Sequence, residues 1–169
     1  MTNSIYIQDD VEITIRAGMI EDADRFTEIE KACFPSELCY GPSVLVTLLS
    51  MTPIYTVLTA FTAKNSEIIG FAIGEQDDNN KQLGRIVTIQ VDPSFWRHSI
   101  GENLLLTLET TLNKKHKIKS FELQVHHKNE RAIRFYQNNG YKITKLLNNY
   151  YQRKEHAFLM KKQAPKFDD

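Results

Sequence analysis

The stretch from Val91 to Leu105 constrains the fold more than any other part of this 169-residue chain. It indicates a buried strand that ends before Pro93, a short polar loop, and the first turn of an apolar helix. Such a connection gathers unpaired backbone N–H groups and the positive end of a helix dipole around one point. We therefore predict an anion site at this loop, suited to a phosphate or pyrophosphate.

Composition excludes several classes of protein. Lys plus Arg number 21 and Asp plus Glu also 21, so no net charge draws the chain to nucleic acid or to a membrane surface. No apolar stretch is long enough to span a bilayer, and the polar start of the chain has no signal pattern, so we expect a cytoplasmic protein. We predict a single domain over residues 1–169, with residues 1–10 and 162–169 flexible. Cys33 and Cys39 have no further ligands nearby in sequence, so no metal is expected.

Hydrophobic periodicity predicts an α+β domain built on a mixed sheet. The predicted strands are Val11–Arg16, Ile54–Ala63, Glu67–Gln76, Gly84–Val91, Phe121–Val125, Tyr141–Leu146 and His156–Lys161. Four helices are predicted: one that ends at Phe34-Pro35, one over Ser43–Met51, one after the anion loop, and one capped by Asn129 and ended by Asn139-Gly140.

Two downstream blocks carry a family resemblance. The segment from Asn129 to Tyr141 reads N-E-R-A-I-R-F-Y-Q-N-N-G-Y, and Asn149-Tyr150-Tyr151 is followed by Ala157-Phe158-Leu159-Met160. Together with the anion loop, they resemble the GNAT acetyltransferases, and in particular the RimI, Ard and NatE-type protein N-terminal acetyltransferases. The resemblance implies a central, mostly antiparallel mixed sheet flanked by about four helices. It also implies that acetyl-CoA, with no metal, lies where the central strands Gly84–Val91 and Phe121–Val125 splay apart.

The same resemblance implies a set of CoA contacts along the strand, the loop and the following helices. These residues are Ile89, Gln90, Val91, Arg97, His98, Ser99, Ile100, Gly101, Glu102, Asn129 and Tyr136. In the family, the Tyr136 hydroxyl protonates the departing thiolate; a core aromatic is the alternative role for this residue. The loop departs from the family pattern, because Trp96 replaces the usual Gln or Arg and Ser99 replaces a Gly. If Ser99 needs a positive φ, the strain costs about 1 kcal/mol, which would weaken CoA binding or reshape the loop.

The general base is harder to assign. Relatives carry Glu or His at the position of Gln124, which cannot accept a proton. Strand alternation places Glu122 and His126 on the same face as Gln124, so either of them is a candidate base that acts through a water molecule oriented by Gln124. The alternatives are a solvated strand residue for Glu122 and a surface loop residue for His126.

By resemblance, two loops and one strand position would receive the acceptor. Their residues are Phe34, Pro35, Tyr40, Val87, Tyr150 and Tyr151. The alternative is that the aromatic loops simply pack on the core. We therefore expect acetylation of protein N-terminal α-amines by direct attack on the thioester. The rival functions are acetylation of lysine or a small amine, and an acyl-CoA-binding module without activity. The basic run from Lys114 to Lys119 is typical of a solvated helix end, and a ribosomal RNA contact is its alternative role.

Overall fold

The computed structural model describes residues 4–8, 11–35, 39–51, 54–151 and 154–164, and these ranges form eight strands and four helices. The strands are β1 Ser4–Gln8, β2 Val11–Ala17, β3 Tyr55–Thr62, β4 Ile68–Gln76, β5 Leu83–Val91, β6 Ser120–His126, β7 Lys142–Leu147 and β8 Ala157–Gln163. The helices are α1 Ala23–Cys33, α2 Pro42–Ser50, α3 Ile100–His116 and α4 Glu130–Asn138. No helix in these ranges has the length and apolar character needed to cross a bilayer.

All eight strands join one sheet in the order β1-β2-β3-β4-β5-β6-β8-β7. Neighbouring strands are antiparallel except β5 and β6, which are parallel. The long connection through α3 makes this parallel pairing possible, because parallel neighbours need a crossover. The predicted α+β fold with a mixed, mostly antiparallel sheet is confirmed.

Apolar clusters cover both faces of the sheet. Helices α1 and α2 pack on one face, which we call the α1/α2 face, where the rings of Phe26 and Phe71 stack with centroids 4.1 Å apart. Helix α3 packs on the opposite face through buried leucines that include Leu104 and Leu108. Successive residues of β4 alternate between the clusters, as the pleat requires: Phe71 belongs to the first and Ala72 to the second.

The parallel pair β5 and β6 separates soon after it forms. Their paired residues run only from Leu83 with Ser120 to Arg85 with Glu122. We call the space between the two strands beyond Arg85 and Glu122 the gap. The predicted splaying of the central strands is therefore present in the sheet.

The predicted strands and helices agree with the observed ones to within two residues, but the predicted flexible ends need correction. Ser4–Gln8 forms strand β1, which pairs antiparallel with β2. At the other end, β8 continues through Gln163, which pairs with Ser120 of β6. The remaining positions of those predicted ends, residues 1–3, 9–10 and 165–169, lie outside the described residues.

Candidate functional site

The predicted anion loop adopts an unusual backbone conformation. It follows a short 3-10 turn, Pro93–Phe95, in which the Asp92 carboxylate accepts the Ser94 N–H at 2.9 Å. Arg97 and Ser99 then have φ values of 71° and 48°, in the left-handed region. This positive φ allows α3 to begin at Ile100 with its first-turn N–H groups directed back over the loop.

A cavity of about 580 Å³ opens at this loop and extends along β5 and α4. Its lining consists of Ile89, Gln90, Val91, Phe95, Trp96, Arg97, Ser99, Ile100, Gly101, Glu102, Arg131, Ala132, Phe135 and Tyr136. The volume is that of a typical cofactor site, and the N-terminus of α3 supplies an anion-binding end to it. The arrangement can hold an elongated ligand that carries a phosphate group.

Most of the residues predicted to contact CoA line this cavity, but two do not. Asn129 lies just before α4, where its side chain accepts the Ala132 N–H at 3.1 Å, so its predicted capping role is confirmed. His98 lies in the loop outside the lining. Gln90 contributes to the lining, while its side-chain amide donates to the Thr88 hydroxyl at 3.0 Å.

The hydrogen-bond alternation of β5 leaves backbone groups facing the gap. The Asp92 N–H donates to the Ile69 carbonyl at 2.9 Å, so Asp92 bonds toward β4. In an antiparallel ladder, every second residue bonds to a given neighbour, so the N–H groups of Val91 and Ile89 point away from β4. The register also shifts between Ile73 and Gly74, which leaves Val87 as the extra residue of a bulge.

Sequence reasoning missed the pair formed by Trp96 and Arg131. The Trp96 indole N–H donates to the Val91 carbonyl at 2.8 Å, and the Arg131 guanidinium lies 3.5 Å above the indole ring. A cation stacked on a tryptophan face contributes about 0.5–2 kcal/mol. The pair therefore fixes a positive charge at the cavity wall. The unusual Trp at position 96 was the one available signal for it.

Tyr136, the predicted proton donor, lies at the wall of the cavity. It extends from α4, and its ring packs edge to face on the ring of Tyr141, with centroids 5.6 Å apart. Burial, and then the nearby Tyr151 hydroxyl, raise the pKa of Tyr136 well above its usual range. The hydroxyl therefore keeps its proton at neutral pH and can donate it to a ligand.

Tyrosines from two segments of the chain lie close together beside the gap. The rings of Tyr150 and Tyr151 meet at right angles with centroids 5.0 Å apart. Burial raises the pKa of Tyr151 to about 12, with Tyr150 and Tyr40 as further causes. Tyr40 follows α1 and packs against the apolar cluster of the α1/α2 face, as Val87 does. The structure therefore brings together the predicted acceptor residues of separate loops. Phe34, half-buried, and Pro35, exposed, end α1, and residues 36–38 lie outside the described residues.

The two predicted candidates for the base are each engaged in other contacts. Glu122 is buried and accepts from Arg85 Nε at 3.1 Å, and its second oxygen lies 3.0 Å from Lys161 Nζ. His126 accepts the Lys128 N–H on Nδ1 at 3.2 Å, so its one neutral-state lone pair is already used. Burial lowers the pKa of His126 below its usual range. It ends β6 and is therefore not the surface loop residue of the alternative prediction.

His126, His127 and Glu155 form a cluster with donor atoms that lie within 4.8 Å of one another, close enough to approach one metal ion. One ring nitrogen of each histidine already has another role, because the Lys128 N–H bonds to His126 Nδ1 and the His127 Nδ1 lies 3.0 Å from the His156 carbonyl. Glu155 is also held by Lys128 Nζ at 2.9 Å. These hydrogen bonds and ion pairs support the end of β6.

Comparison with known proteins agrees with this geometry. Residues 23–141 match the model of the acetyltransferase (GNAT) family. An uncharacterized N-acetyltransferase of Methanocaldococcus jannaschii is 31% identical over 151 residues, which cover 89% of this chain and 92% of the relative. An N-alpha-acetyltransferase of Sulfurisphaera tokodaii is 25% identical, with 88% and 92% covered. The crystal structure of Ard1 from Thermoplasma volcanium superposes with a TM-score of 0.79 at 24% identity, covering 91% of this chain and 99% of that one.

Proposed function

This chain belongs to the GNAT acetyltransferase family, and we propose that it transfers the acetyl group of acetyl-CoA to the α-amino group of protein N-termini. One observation carries the proposal. The gap between β5 and β6 borders the cavity with the anion loop, and the ring of Tyr151 lies 5.4 Å from that of His126 at the end of β6. A relative of 25% identity is named an N-alpha-acetyltransferase, which supports this choice of acceptor.

The lining of the cavity suits the chemistry of acetyl-CoA. The first-turn N–H groups of α3, together with Arg97, hold the pyrophosphate, and the fixed charge of Arg131 serves a further phosphate. The pantetheine arm runs along β5, where the groups of Ile89 and Val91 that face the gap bond it as an added strand would. This alignment brings the thioester to the point where the strands separate.

The amine attacks the thioester carbonyl directly. The Ile89 N–H, which points away from β4 into the gap and lies nearer the point of separation than Val91, stabilises the negative charge that develops on the carbonyl oxygen. The C–S bond then breaks, and Tyr136 gives its proton to the departing thiolate. Binding both reactants across the gap also lowers the activation barrier, because a bimolecular reaction becomes effectively unimolecular.

The acceptor's N-terminal residues lie against the loops that flank the gap. Tyr40, Tyr150 and Tyr151 close over the peptide backbone, and Phe34 with Pro35 receives the first side chain. The bulge at Val87 supplies backbone groups that the ladder leaves unused, and these can bond the acceptor backbone. Cytoplasmic proteins, with or without ribosome contact, are the acceptors that the sequence favours.

Acetyl transfer to a panel of acceptors tests the proposal. The panel contains short peptides that differ at residue one, a peptide blocked at its N-terminus that carries one lysine, and spermidine. We expect CoA release only with free N-termini, because an α-amine with a pKa of about 8 is far more often neutral at pH 7 than a lysine at about 10.4. Turnover confined to the blocked peptide or to spermidine would contradict the proposed acceptor. Binding of acetyl-CoA without any turnover would favour a module without activity.

A further inference from the structure

A row of polar residues crosses the α1/α2 face at the start of the gap. In register, Tyr55 of β3 lies opposite Glu75 of β4, Glu75 opposite Arg85 of β5, and Arg85 opposite Glu122 of β6. Directly opposed residues share a face of the sheet with their Cβ atoms about 4.5–5.5 Å apart. Because Tyr55 packs against the cluster under α1 and α2, the whole row lies on the side where the acceptor enters.

Glu75 differs in its partners from Glu122, the other carboxylate of this row. Arg85 makes its short contacts elsewhere, with Asp77 at 2.6 Å and with Glu122 at 3.1 Å. Glu122 has Lys161 as a second cation at 3.0 Å. Glu75 is half-buried and is bonded by the neutral hydroxyl of Tyr55. The row thus contains one carboxylate with no close cation of its own among the described residues.

Groups on β3, on β5 and in the turn after β4 shift the pKa of Glu75. Burial is the largest cause of its raised pKa, and Asp78 and Asp77 in the following turn add to it. Arg85 on β5 and the Tyr55 hydroxyl on β3 act in the opposite direction. The Glu75 charge also reaches Tyr40, whose pKa it helps to raise. A carboxylate that is partly desolvated and faces the acceptor tyrosines is a better proton acceptor than a free one.

We propose that Glu75 is the carboxylate that binds the incoming ammonium group of the acceptor and takes its proton. This inference rests on the proposed function, because it assigns the missing base of that same site. At neutral pH, the α-amine arrives mostly as an ammonium ion. One N–H proton passes to the Glu75 carboxylate, directly or through water, and leaves the nitrogen lone pair free to attack. After the C–N bond forms, the nitrogen loses its second proton through water to the Tyr136 phenolate, which has given its own proton to the departing thiolate. Glu75 then releases its proton to solvent.

The test compares Glu75→Gln with Glu67→Gln in the full chain. Glu67 is an exposed carboxylate at the opposite end of the β3–β4 hairpin, so its substitution controls for loss of one charge. We expect Glu75→Gln to lower kcat/KM by about 100-fold at pH 6.5. The deficit should narrow above pH 8, where more of the amine is already neutral. Glu75→Asp should recover part of the rate, and acetyl-CoA affinity and far-UV circular dichroism should match the wild type.

Two results would overturn the inference: an unchanged kcat/KM in Glu75→Gln, or a rate loss of the same factor at every pH, which marks a structural role. The measurement uses whichever acceptor the wild-type protein acetylates. If that acceptor is a lysine or a polyamine, the proposed N-terminal function fails, and the pH profile of Glu75→Gln still decides the role of Glu75. If free N-termini are acetylated and the profile is unchanged, only the inference fails. A wild-type protein without turnover on any acceptor overturns both.

Discussion

The backbone of Ser99 allows a quantitative test of the anion loop. Its φ of 48° and ψ of 18° are left-handed, a conformation that costs a residue with a Cβ atom about 1–2 kcal/mol. The Ser99 side chain makes no capping hydrogen bond to α3, so Ser99→Gly removes no contact of that kind. Glycine loses more conformational entropy on folding, and this loss offsets about 0.5–1 kcal/mol of the strain energy that the substitution removes. We expect a net stabilisation of about 0.5–1 kcal/mol.

Ser66 provides the matched control, since its φ of 57° is also left-handed and it lies in the turn between β3 and β4. Both Ser99→Gly and Ser66→Gly should raise Tm by about 1–3 °C in a chain of this size, measured by thermal melting without ligand. Because the left-handed backbone belongs to the fold itself, we expect its strain to affect folding and not binding. The Kd for acetyl-CoA, measured by calorimetry, should therefore stay within about twofold of wild type in both variants.

Two outcomes would refute this reasoning. If Ser66→Gly raises Tm and Ser99→Gly lowers it, the loop backbone is not strained in the way its dihedral angles indicate. If Ser99→Gly changes the Kd by about tenfold or more, equivalent to about 1.4 kcal/mol, the loop is not held in its binding conformation before the ligand arrives.

Three further predictions follow from individual contacts. Tyr136→Phe should lower kcat by about 100-fold in steady-state assays, with the Kd for acetyl-CoA unchanged, because only the proton donor is lost; equal kcat would remove Tyr136 as the acid. Gly84→Ala should destabilise the fold by about 1–3 kcal/mol in urea unfolding, since its new Cβ would lie 2.6 Å from the Phe121 ring; an unchanged midpoint would contradict this packing. Glu30 is buried, with a pKa raised to about 7 by that burial, so its contribution to stability is fully present below pH 4.5 and is lost as the pH rises through 7. Between pH 4.5 and 7, Glu30→Gln should lose about 2 kcal/mol less folding stability than the wild type, a figure discounted for solvent screening. Thermal melts across this pH range measure the difference, and an equal loss of stability in both proteins would contradict the assignment.

Local sequence signals predicted the element order well, because each depended on residues near one another in the chain. Asn129 caps α4 as its type and position indicate, and Gly140 ends that helix with a φ of 88°. The apolar spacing after the anion loop correctly predicted α3, which buries Leu104 and Leu108. The short strand β1 was missed because a five-residue strand carries little periodicity, and its evidence is the pairing with β2.

The chemistry of the α1/α2 face depends on register, which sequence patterns alone do not reveal. Glu122 was a candidate base because it shares a strand face with Gln124, yet its partners Arg85 and Lys161 come from β5 and β8. Those strands meet β6 only through long connections, so no local pattern predicts the ion pairs. Glu75 was missed for the same reason, since its position opposite Arg85 follows from the β4–β5 register.

The site of acetylation on a single two-amine peptide tests the central claim most directly. The peptide carries one free α-amine and one internal lysine, and fragmentation mass spectrometry locates the acetyl group after incubation with acetyl-CoA and the full-length chain. We expect acetylation of the α-amine, with the lysine unmodified at neutral pH. Acetylation of the lysine, with the α-amine left free, would contradict it.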